Sequence, residues 1–161
     1  MQPQKVGGQY QFTKKGNYED YSSGRVLYGA TGATNFPVRL ISEIFLRAWY
    51  YLTEYGNAGP YSVYDPFCGA GYSLTILGLL HGKNIKAIYA SDVDKNMLGI
   101  AKKNLSLLVK QGINERAEEL KSLYNEYHKK SHNDALRSVT NLIKQLPKSK
   151  IDIQTFTHNI L

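Results

Sequence analysis

The sequence predicts an α/β domain built on a parallel sheet. Two short runs rich in strand-forming residues, 61–64 and 85–90, each lead through a turn into a helical segment. A third run, 151–156, alternates apolar and polar residues as a strand does. Strands that alternate with helices are typical of parallel sheets with right-handed crossovers. With 161 residues and 42% hydrophobic content, the chain can form one packed core, and a second independent domain is not expected.

The first part of the chain predicts an irregular arm followed by a helix. Residues 1–36 are rich in glycine and tyrosine, carry a net positive charge and have little apolar periodicity. We therefore expect an arm that does not fold alone, with the domain itself spanning residues 37–161. Between Pro37 and Gly56 a helix is predicted, because apolar residues recur at the spacing of one helical face. These residues are Ile41, Ile44, Phe45, Ala48, Trp49 and Leu52.

Two helices are predicted to follow the first two strands. The first covers residues 72–80, with Gly82 placed to end it. The second begins after Asp94, whose side chain suits an N-cap, and runs to about Lys110 before Gly112 ends it.

The alternation of strands and helices is interrupted by residues 114–146. Their apolar spacing predicts an inserted helical hairpin that Pro147 ends. The exposed charges of this hairpin are of both signs, which is typical of a solvated surface. A basic face turned towards RNA is the alternative.

The net charge favours a polyanionic partner. Twenty Lys and Arg stand against 13 Asp and Glu, a net charge of +7, which attracts nucleic acids through counterion release. Thirteen tyrosines, several of them near basic residues of the arm, either stack on unpaired bases or simply pack amphipathically. An RNA-binding module that acts without a cofactor is therefore one open alternative.

The composition also excludes several classes of protein. The longest apolar runs are far shorter than the roughly 18 to 20 residues of a membrane span, and the first 12 residues lack the apolar stretch of a secretory signal. The single cysteine, Cys68, cannot form an internal disulfide, so a reducing cytoplasm is the expected location. The four histidines have no metal-ligand spacing, and we expect no metal.

A glycine-rich turn flanked by carboxylates carries the functional signal. Asp65 ends the first strand, Gly69 and Gly71 follow it, and Asp92 ends the second strand. Such glycines let the backbone approach a nucleotide-like ligand, and an acid in the place of Asp92 accepts bonds from ribose hydroxyls. A dinucleotide fingerprint needs a third glycine where Leu74 stands, and Asp65 would repel a pyrophosphate but attract a sulfonium. The residues favour S-adenosylmethionine as the cofactor, with NAD as the alternative.

The same residues carry a family resemblance. Residues 65–71 (DPFCGAG) are similar to motif I of Rossmann-like methyltransferases, residues 90–94 (ASDVD) to the acidic motif after their second strand, and residues 155–161 (TFTHNIL) to their third motif. Segments within residues 26–108 resemble the avilamycin-resistance type of ribosomal RNA methyltransferase. Members of that family methylate a guanine base of 23S ribosomal RNA. The resemblance implies an enzyme that uses S-adenosylmethionine and acts on ribosomal RNA.

The resemblance implies cofactor contacts for individual residues. The methionine end of the cofactor would be held by Asp65, Phe67, Gly69 and Gly71. Asp92 would bind the ribose, Val93 one face of the adenine, and Asn159 the adenine edge, where the family more often has Asp. Phe36 and Arg39 would line the same pocket, the alternative being a core phenylalanine and a surface arginine.

The resemblance also implies a larger fold. A complete sheet of this type orders its strands 3-2-1-4-5-7-6, and this chain supplies three in the order 3-2-1, as a truncated amino-terminal half would. The substrate clamp of the superfamily needs adjacent prolines or a related pair, and none of the five prolines is adjacent to another. We therefore expect the full-length parent to be the enzyme and the 161-residue chain itself to be inactive. The open edge of the first strand predicts a homodimer or an exchange of elements with a second copy.

Overall fold

The computed structural model describes residues 10–157, and these contain one three-stranded sheet. The strands are parallel and the second lies between the other two, which confirms the predicted order 3-2-1. The strands are β1 (Tyr61–Asp65), β2 (Ile85–Asp92) and β3 (Asp152–Thr157). The α-helices of the described residues are α1 (Val38–Glu54), α2 (Tyr72–His81), α3 (Lys95–Ser106), α4 (Lys110–Tyr127) and α5 (Lys130–Ile143).

One face of the sheet contributes to the core and the other is open. Val63, Ile88 and Ile153 are aligned across the three strands and pack into the apolar core shared with α2 and α3. On the opposite face, the rings of Tyr64 and Phe156 stack with centroids 6.0 Å apart, and both side chains are exposed. A parallel sheet normally has both faces covered, so this face is unusual in being open.

The turn between α3 and α4 differs from the sequence prediction. Asp94 is the N-cap of α3 as predicted, since its side chain accepts the Asn96 N–H at 2.7 Å. The helix does not continue to Lys110 but ends at Ser106, and Gly112 lies in the first turn of α4 rather than ending α3. A Cβ at Gly112 would stand 2.2 Å from the Ser106 carbonyl oxygen. The glycine is therefore required by the close approach of two helices, which the sequence pattern does not distinguish from a helix end.

The predicted helical hairpin is present as α4 and α5. The two helices pack against each other through buried apolar residues such as Ile113, Leu120, Val139 and Leu142. Helix α4 begins at Lys110, four residues before the predicted start. Most of the charged side chains on both helices are exposed, as a solvated surface requires.

The arm has irregular backbone, as predicted, but it is packed onto the domain. From residue 10 to residue 36 its regular structure is a short 3₁₀ turn at Glu19–Tyr21. Val26 and Leu27 are nonetheless fully buried in the core. The carboxylate of Glu43 on α1 accepts backbone N–H groups from residues 11–13. The boundary between an arm and a separate domain at residue 36 stays a prediction.

Helix α1 buries only part of its predicted apolar face. Ile41 and Phe45 are in the core, whereas Ile44 is 56% exposed. The exposed part of the helix and β1 enclose an apolar cavity of about 430 Å³, which we call the edge groove. Its walls include Phe36, Ile44, Trp49, Leu52, Val63 and Leu77. Among residues 10–157, no helix has the length and apolar character needed to cross a membrane.

Candidate functional site

The glycine turn, residues 65–71, joins β1 to α2 and is tied to the end of β2. The Cys68 N–H donates to the Ser91 carbonyl at 2.9 Å. The Gly69 N–H donates to Asp92 Oδ2 at 2.7 Å. The shape of the turn therefore depends on the second strand as well as on the first.

The two glycines of the turn adopt backbone conformations that other residues rarely reach. Gly69 has φ of +52° and Gly71 has φ of +68°. Gly71 is also packed from behind, since a Cβ there would stand 2.9 Å from the Cβ of Ala101 on α3. Both positions need glycine, but only Gly71 needs it for space as well as for conformation.

Asp65 and Asp92, the two carboxylates singled out in the sequence, lie at the same edge of the sheet. Asp65 is in register with Ala90, and Asp92 follows two residues further along β2. Asp65 Oδ1 accepts the Phe67 N–H at 3.0 Å, and Asp92 Oδ1 accepts the Asp94 N–H at 2.9 Å. Asp65 thus holds the glycine turn, and Asp92 holds both its own loop and, through Gly69, the glycine turn. Both carboxylates contribute negative charge at the carboxyl ends of adjacent strands.

A cavity of about 360 Å³ lies between the glycine turn and the arm, and we call it the turn cavity. One wall is formed by arm residues 33–36 and the other by the turn and the start of α2. Four of the predicted site residues line it: Phe36, Asp65, Phe67 and Gly69. The other lining residues are Ala33, Thr34, Asn35, Cys68, Ala70, Tyr72, Ser73 and Met97. Phe67 is 76% exposed and Phe36 is 61% exposed, so both rings are open to a ligand or partner.

The remaining predicted residues are placed differently. Val93 is exposed directly after Asp92 at the end of β2. Arg39 faces the arm: its Nε and Nη2 donate to the Thr13 carbonyl at 3.1 and 2.9 Å, and its guanidinium lies 3.9 Å from the centre of the Tyr10 ring. These contacts give Arg39 a role in holding the arm, and its place in a cofactor pocket stays a prediction. Asn159 lies outside the described residues.

The chemistry available at the turn cavity is binding rather than covalent catalysis. Burial, followed by the charges of Asp65 and Asp92, raises the pKa of the Cys68 thiol to about 12. The thiol is therefore protonated at neutral pH and is a poor nucleophile. Among residues 10–157, no group of three or more His, Cys, Asp or Glu side chains is placed to hold a metal ion. The turn cavity offers the carboxylate of Asp65, backbone close to the cavity and exposed aromatic rings. Asp92, Gly71 and Val93 do not line it, although the Asp92 carboxylate contacts the glycine turn through Gly69.

Sequence reasoning missed Asn104, a buried residue that contacts the turn. Its Nδ2 donates to the Ala70 carbonyl at 2.9 Å, and the residue is fully buried on α3. The signal was available, because Asn104 lies on the same helical face as the apolar residues Leu98 and Ala101. A polar residue on a buried face needs a partner, and here the partner belongs to the glycine turn.

Comparisons with known proteins place the chain in a family. A family model described as rRNA methyltransferase AviRa matches residues 8–161. The chain is 41% identical over 127 residues to a 23S rRNA (guanine(2535)-N(1))-methyltransferase of Streptomyces viridochromogenes, an alignment that covers 79% of this chain and 50% of the relative. The chain therefore spans about half the length of the curated relative it matches.

Solved structures agree with this assignment. Two structures of the rRNA methyltransferase aviRa from Streptomyces viridochromogenes, at 1.5 and 2.4 Å, superpose on the chain with a TM-score of 0.83 and 36% identity. Each match covers 91% of this chain and 58% of the solved chain. The three-stranded α/β fold is thus that of part of a known methyltransferase structure. Because the family model matches nearly the whole sequence, this chain belongs to the rRNA methyltransferase AviRa family.

Proposed function

We propose that the chain forms the cofactor-binding part of an S-adenosylmethionine-dependent methyltransferase that modifies a base of ribosomal RNA, a guanine of 23S rRNA. The observation that carries this proposal is the position of Asp65 and Asp92 at the ends of adjacent strands, on either side of the glycine turn. The matched relative is a 23S rRNA (guanine(2535)-N(1))-methyltransferase, which supports the choice of substrate. With this substrate, we propose the cytoplasm as the location of the activity.

The residues around the glycine turn suit such a cofactor by charge. S-adenosylmethionine carries an α-amino group and a sulfonium, and both are attracted by carboxylates such as Asp65. A dinucleotide would bring its pyrophosphate close to the same negative charges, which argues against NAD. In this proposal, the methionine end is held by Asp65, Phe67, Gly69 and Gly71. Asp92 binds the ribose, while Val93 and Asn159 contact the adenine.

In this proposal, the chain's own residues bind and orient the cofactor. The bound cofactor supplies a methyl group that is already activated by its positive sulfur. Because that methyl group is already activated, little acid or base assistance is needed, and the enzyme mainly brings a base nitrogen in line with it. The net charge of +7 suits the second substrate, a polyanion. Phe36 and Phe67, exposed beside the turn cavity, supply apolar surface where the two ligands would meet.

Replacing Asp92 with alanine tests the cofactor site. We expect Asp92→Ala to weaken S-adenosylmethionine binding about ten- to hundredfold, because charge-assisted hydrogen bonds worth roughly 1.5 to 3 kcal/mol are lost. Isothermal titration calorimetry of the chain with S-adenosylmethionine, and in parallel with NAD, measures the effect. The matched control is Asp152→Ala, which removes the same charge from the exposed start of β3.

Each outcome of this titration separates the function classes. Binding of S-adenosylmethionine that depends on Asp92 but not on Asp152 supports the proposal. A signal with NAD alone would identify an oxidoreductase domain. RNA affinity that is unaffected by Asp92→Ala, without any binding of S-adenosylmethionine, would identify an RNA-binding module that works without the cofactor.

We further propose that β1 pairs with, or exchanges elements with, a second copy of the chain. Within the described residues, β1 is hydrogen-bonded to β2 on one side and has no strand on the other. Its free edge borders the edge groove, where Ile44 and Leu52 expose apolar surface. An unpaired strand edge beside an apolar cavity is a template for association.

Sedimentation velocity over a range of concentrations tests this association. We expect the wild-type chain to form dimers and Leu52→Lys to be monomeric at the same concentration, because a charge in the edge groove would be buried on pairing. The control is Tyr127→Lys, which places the same charge on an exposed position of α4. A wild-type chain that remains a monomer at high concentration would refute the proposal.

A further inference from the structure

Asn104 is a buried amide whose oxygen and nitrogen both have hydrogen-bond partners. Its Oδ1 accepts the Tyr28 N–H at 2.7 Å. Its Nδ2 donates one hydrogen to the Tyr28 carbonyl at 3.0 Å and the other to the Ala70 carbonyl at 2.9 Å. The residue has no exposed surface. A single side chain on α3 therefore joins the arm and the glycine turn.

The two segments that Asn104 joins are the two walls of the turn cavity. Tyr28 precedes arm residues 33–36, which form one wall, by only a few residues. Ala70 lies in the turn that forms the other wall. These segments are about 40 residues apart in the sequence, so their spacing is set by tertiary contacts rather than by chain connectivity. Asn104 supplies such a contact directly to both.

Helix α3 also shapes the turn next to Asn104. Ala101 lies one helical turn before Asn104 and is in van der Waals contact range of Gly71, where any Cβ would collide with it. The face of α3 that carries Ala101 and Asn104 thus packs against residues 70 and 71 and limits their conformation. A change at Asn104 would alter the turn without introducing a group into the turn cavity, since Asn104 is not among the residues that line it.

We propose that Asn104 is a positioning residue for the cofactor site: by fixing the arm wall against the turn wall, it sets the affinity for the cofactor without touching it. The inference rests on the proposed function, because it takes the turn cavity to be the cofactor site. A purely structural asparagine would lower the stability of the fold but leave the affinity of the remaining folded protein unchanged. The experiment must therefore measure affinity and stability separately.

Aspartate is the informative substitution because it has the same shape as asparagine. In Asn104→Asp, one oxygen still accepts the Tyr28 N–H, but the second oxygen faces the carbonyls of Tyr28 and Ala70. The ionised form is repelled by both. The protonated form donates its single hydrogen to one of them, and burial raises the pKa of the new carboxyl towards neutral pH. At low pH, the protonated side chain therefore restores one of the two donated hydrogen bonds.

Calorimetric titration with S-adenosylhomocysteine from pH 8 to pH 5 tests the proposal on the 161-residue chain. We expect Asn104→Asp to bind roughly tenfold more weakly than wild type at pH 8, and the ratio of the two affinities to narrow as the pH falls. The ratio of the wild-type and variant affinities is compared at each pH, because the titration of other carboxylates affects both proteins equally. Leu142→Ala is the control for stability, because Leu142 is fully buried in α5 and does not line the turn cavity.

Hydrogen exchange of the two walls gives a readout that does not require binding. We expect Asn104→Asp to accelerate exchange in both residues 28–36 and residues 67–71, and Leu142→Ala to leave their relative protection unchanged. If the wild-type chain and Asn104→Asp bind S-adenosylhomocysteine with equal affinity, this inference alone is overturned. Failure of the wild-type chain to bind would overturn the proposed cofactor site and this inference with it.

Discussion

Gly71→Ala is expected to destabilise the chain by roughly 2 to 5 kcal/mol and to remove the proposed binding of S-adenosylmethionine under ordinary assay conditions. The first cause is conformational: Gly71 has φ of +68°, and an L-residue there costs roughly 1 to 2 kcal/mol. The second is steric, because the new Cβ would stand 2.9 Å from the Ala101 Cβ and 3.0 Å from its Cα. Overpacking of this kind costs roughly 1 to 3 kcal/mol.

The same substitution at Gly69 separates the two causes. Gly69 also has positive φ, +52°, but no heavy atom lies within 4 Å of a Cβ built there. Gly69→Ala should therefore cost only the conformational part, roughly 1 to 2 kcal/mol. Urea unfolding of the two variants measures the difference, and calorimetry with S-adenosylmethionine follows on the folded protein. Equal losses of stability for Gly69→Ala and Gly71→Ala would mean that packing against α3 does not constrain the turn.

The parts of the site that follow from short sequence spacing could be predicted from the sequence. Asp65 and Asp92 lie at one edge of the sheet because the alternation of strands and helices predicts parallel strands, whose carboxyl ends share an edge. The strand order 3-2-1 is implied by the family resemblance. The glycines after Asp65 predict a turn with backbone conformations that other residues rarely adopt. Local patterns of this kind determine local structure, and the structure has the turn and the paired carboxylates at the expected place.

Contacts between distant segments could not be predicted in this way. The sequence gives no spacing rule that would join Tyr28 to Asn104, or Thr13 to Arg39, because these pairs are separated by many residues and meet only after the arm has packed. For the same reason Gly112 is easily taken for a helix end. Its actual requirement is a close approach to Ser106 across a turn between helices.

A buried carboxylate on α1 holds the arm. Glu43, 2% exposed, accepts the N–H groups of Gln11, Phe12 and Thr13 at 2.6, 3.0 and 2.8 Å, and Arg47 Nε at 2.9 Å. Burial raises the pKa of this carboxyl, but the four hydrogen bonds outweigh it and lower the pKa from 4.5 to about 2. A shift of that size corresponds to roughly 3 kcal/mol of folding free energy.

The sign of the shift predicts how the arm responds to acid. Because the pKa is lower in the folded chain than in the unfolded one, Glu43 contributes its full stabilisation above about pH 4.5 and loses it progressively as the pH falls towards 2. In Glu43→Gln, the NH2 group of the new amide faces backbone N–H groups of residues 11–13, so that donors meet donors. We expect this variant to lower the unfolding free energy by roughly 2 to 4 kcal/mol at pH 7. The difference in unfolding free energy between wild type and Glu43→Gln should then decrease as the pH falls from 4.5 to 2.5.

Urea unfolding at a series of pH values measures this gap, with Glu118→Gln as the control at an exposed position of α4. Hydrogen exchange of residues 11–13 reports on the arm itself, which should become exposed in Glu43→Gln at neutral pH and in the wild type only in acid. A gap that stays constant down to pH 2.5 would contradict the prediction. Since the arm continues from residues 11–13 to the wall of the turn cavity at residues 33–36, loss of the Glu43 contacts should also weaken S-adenosylmethionine binding, through a residue that lies outside the cavity.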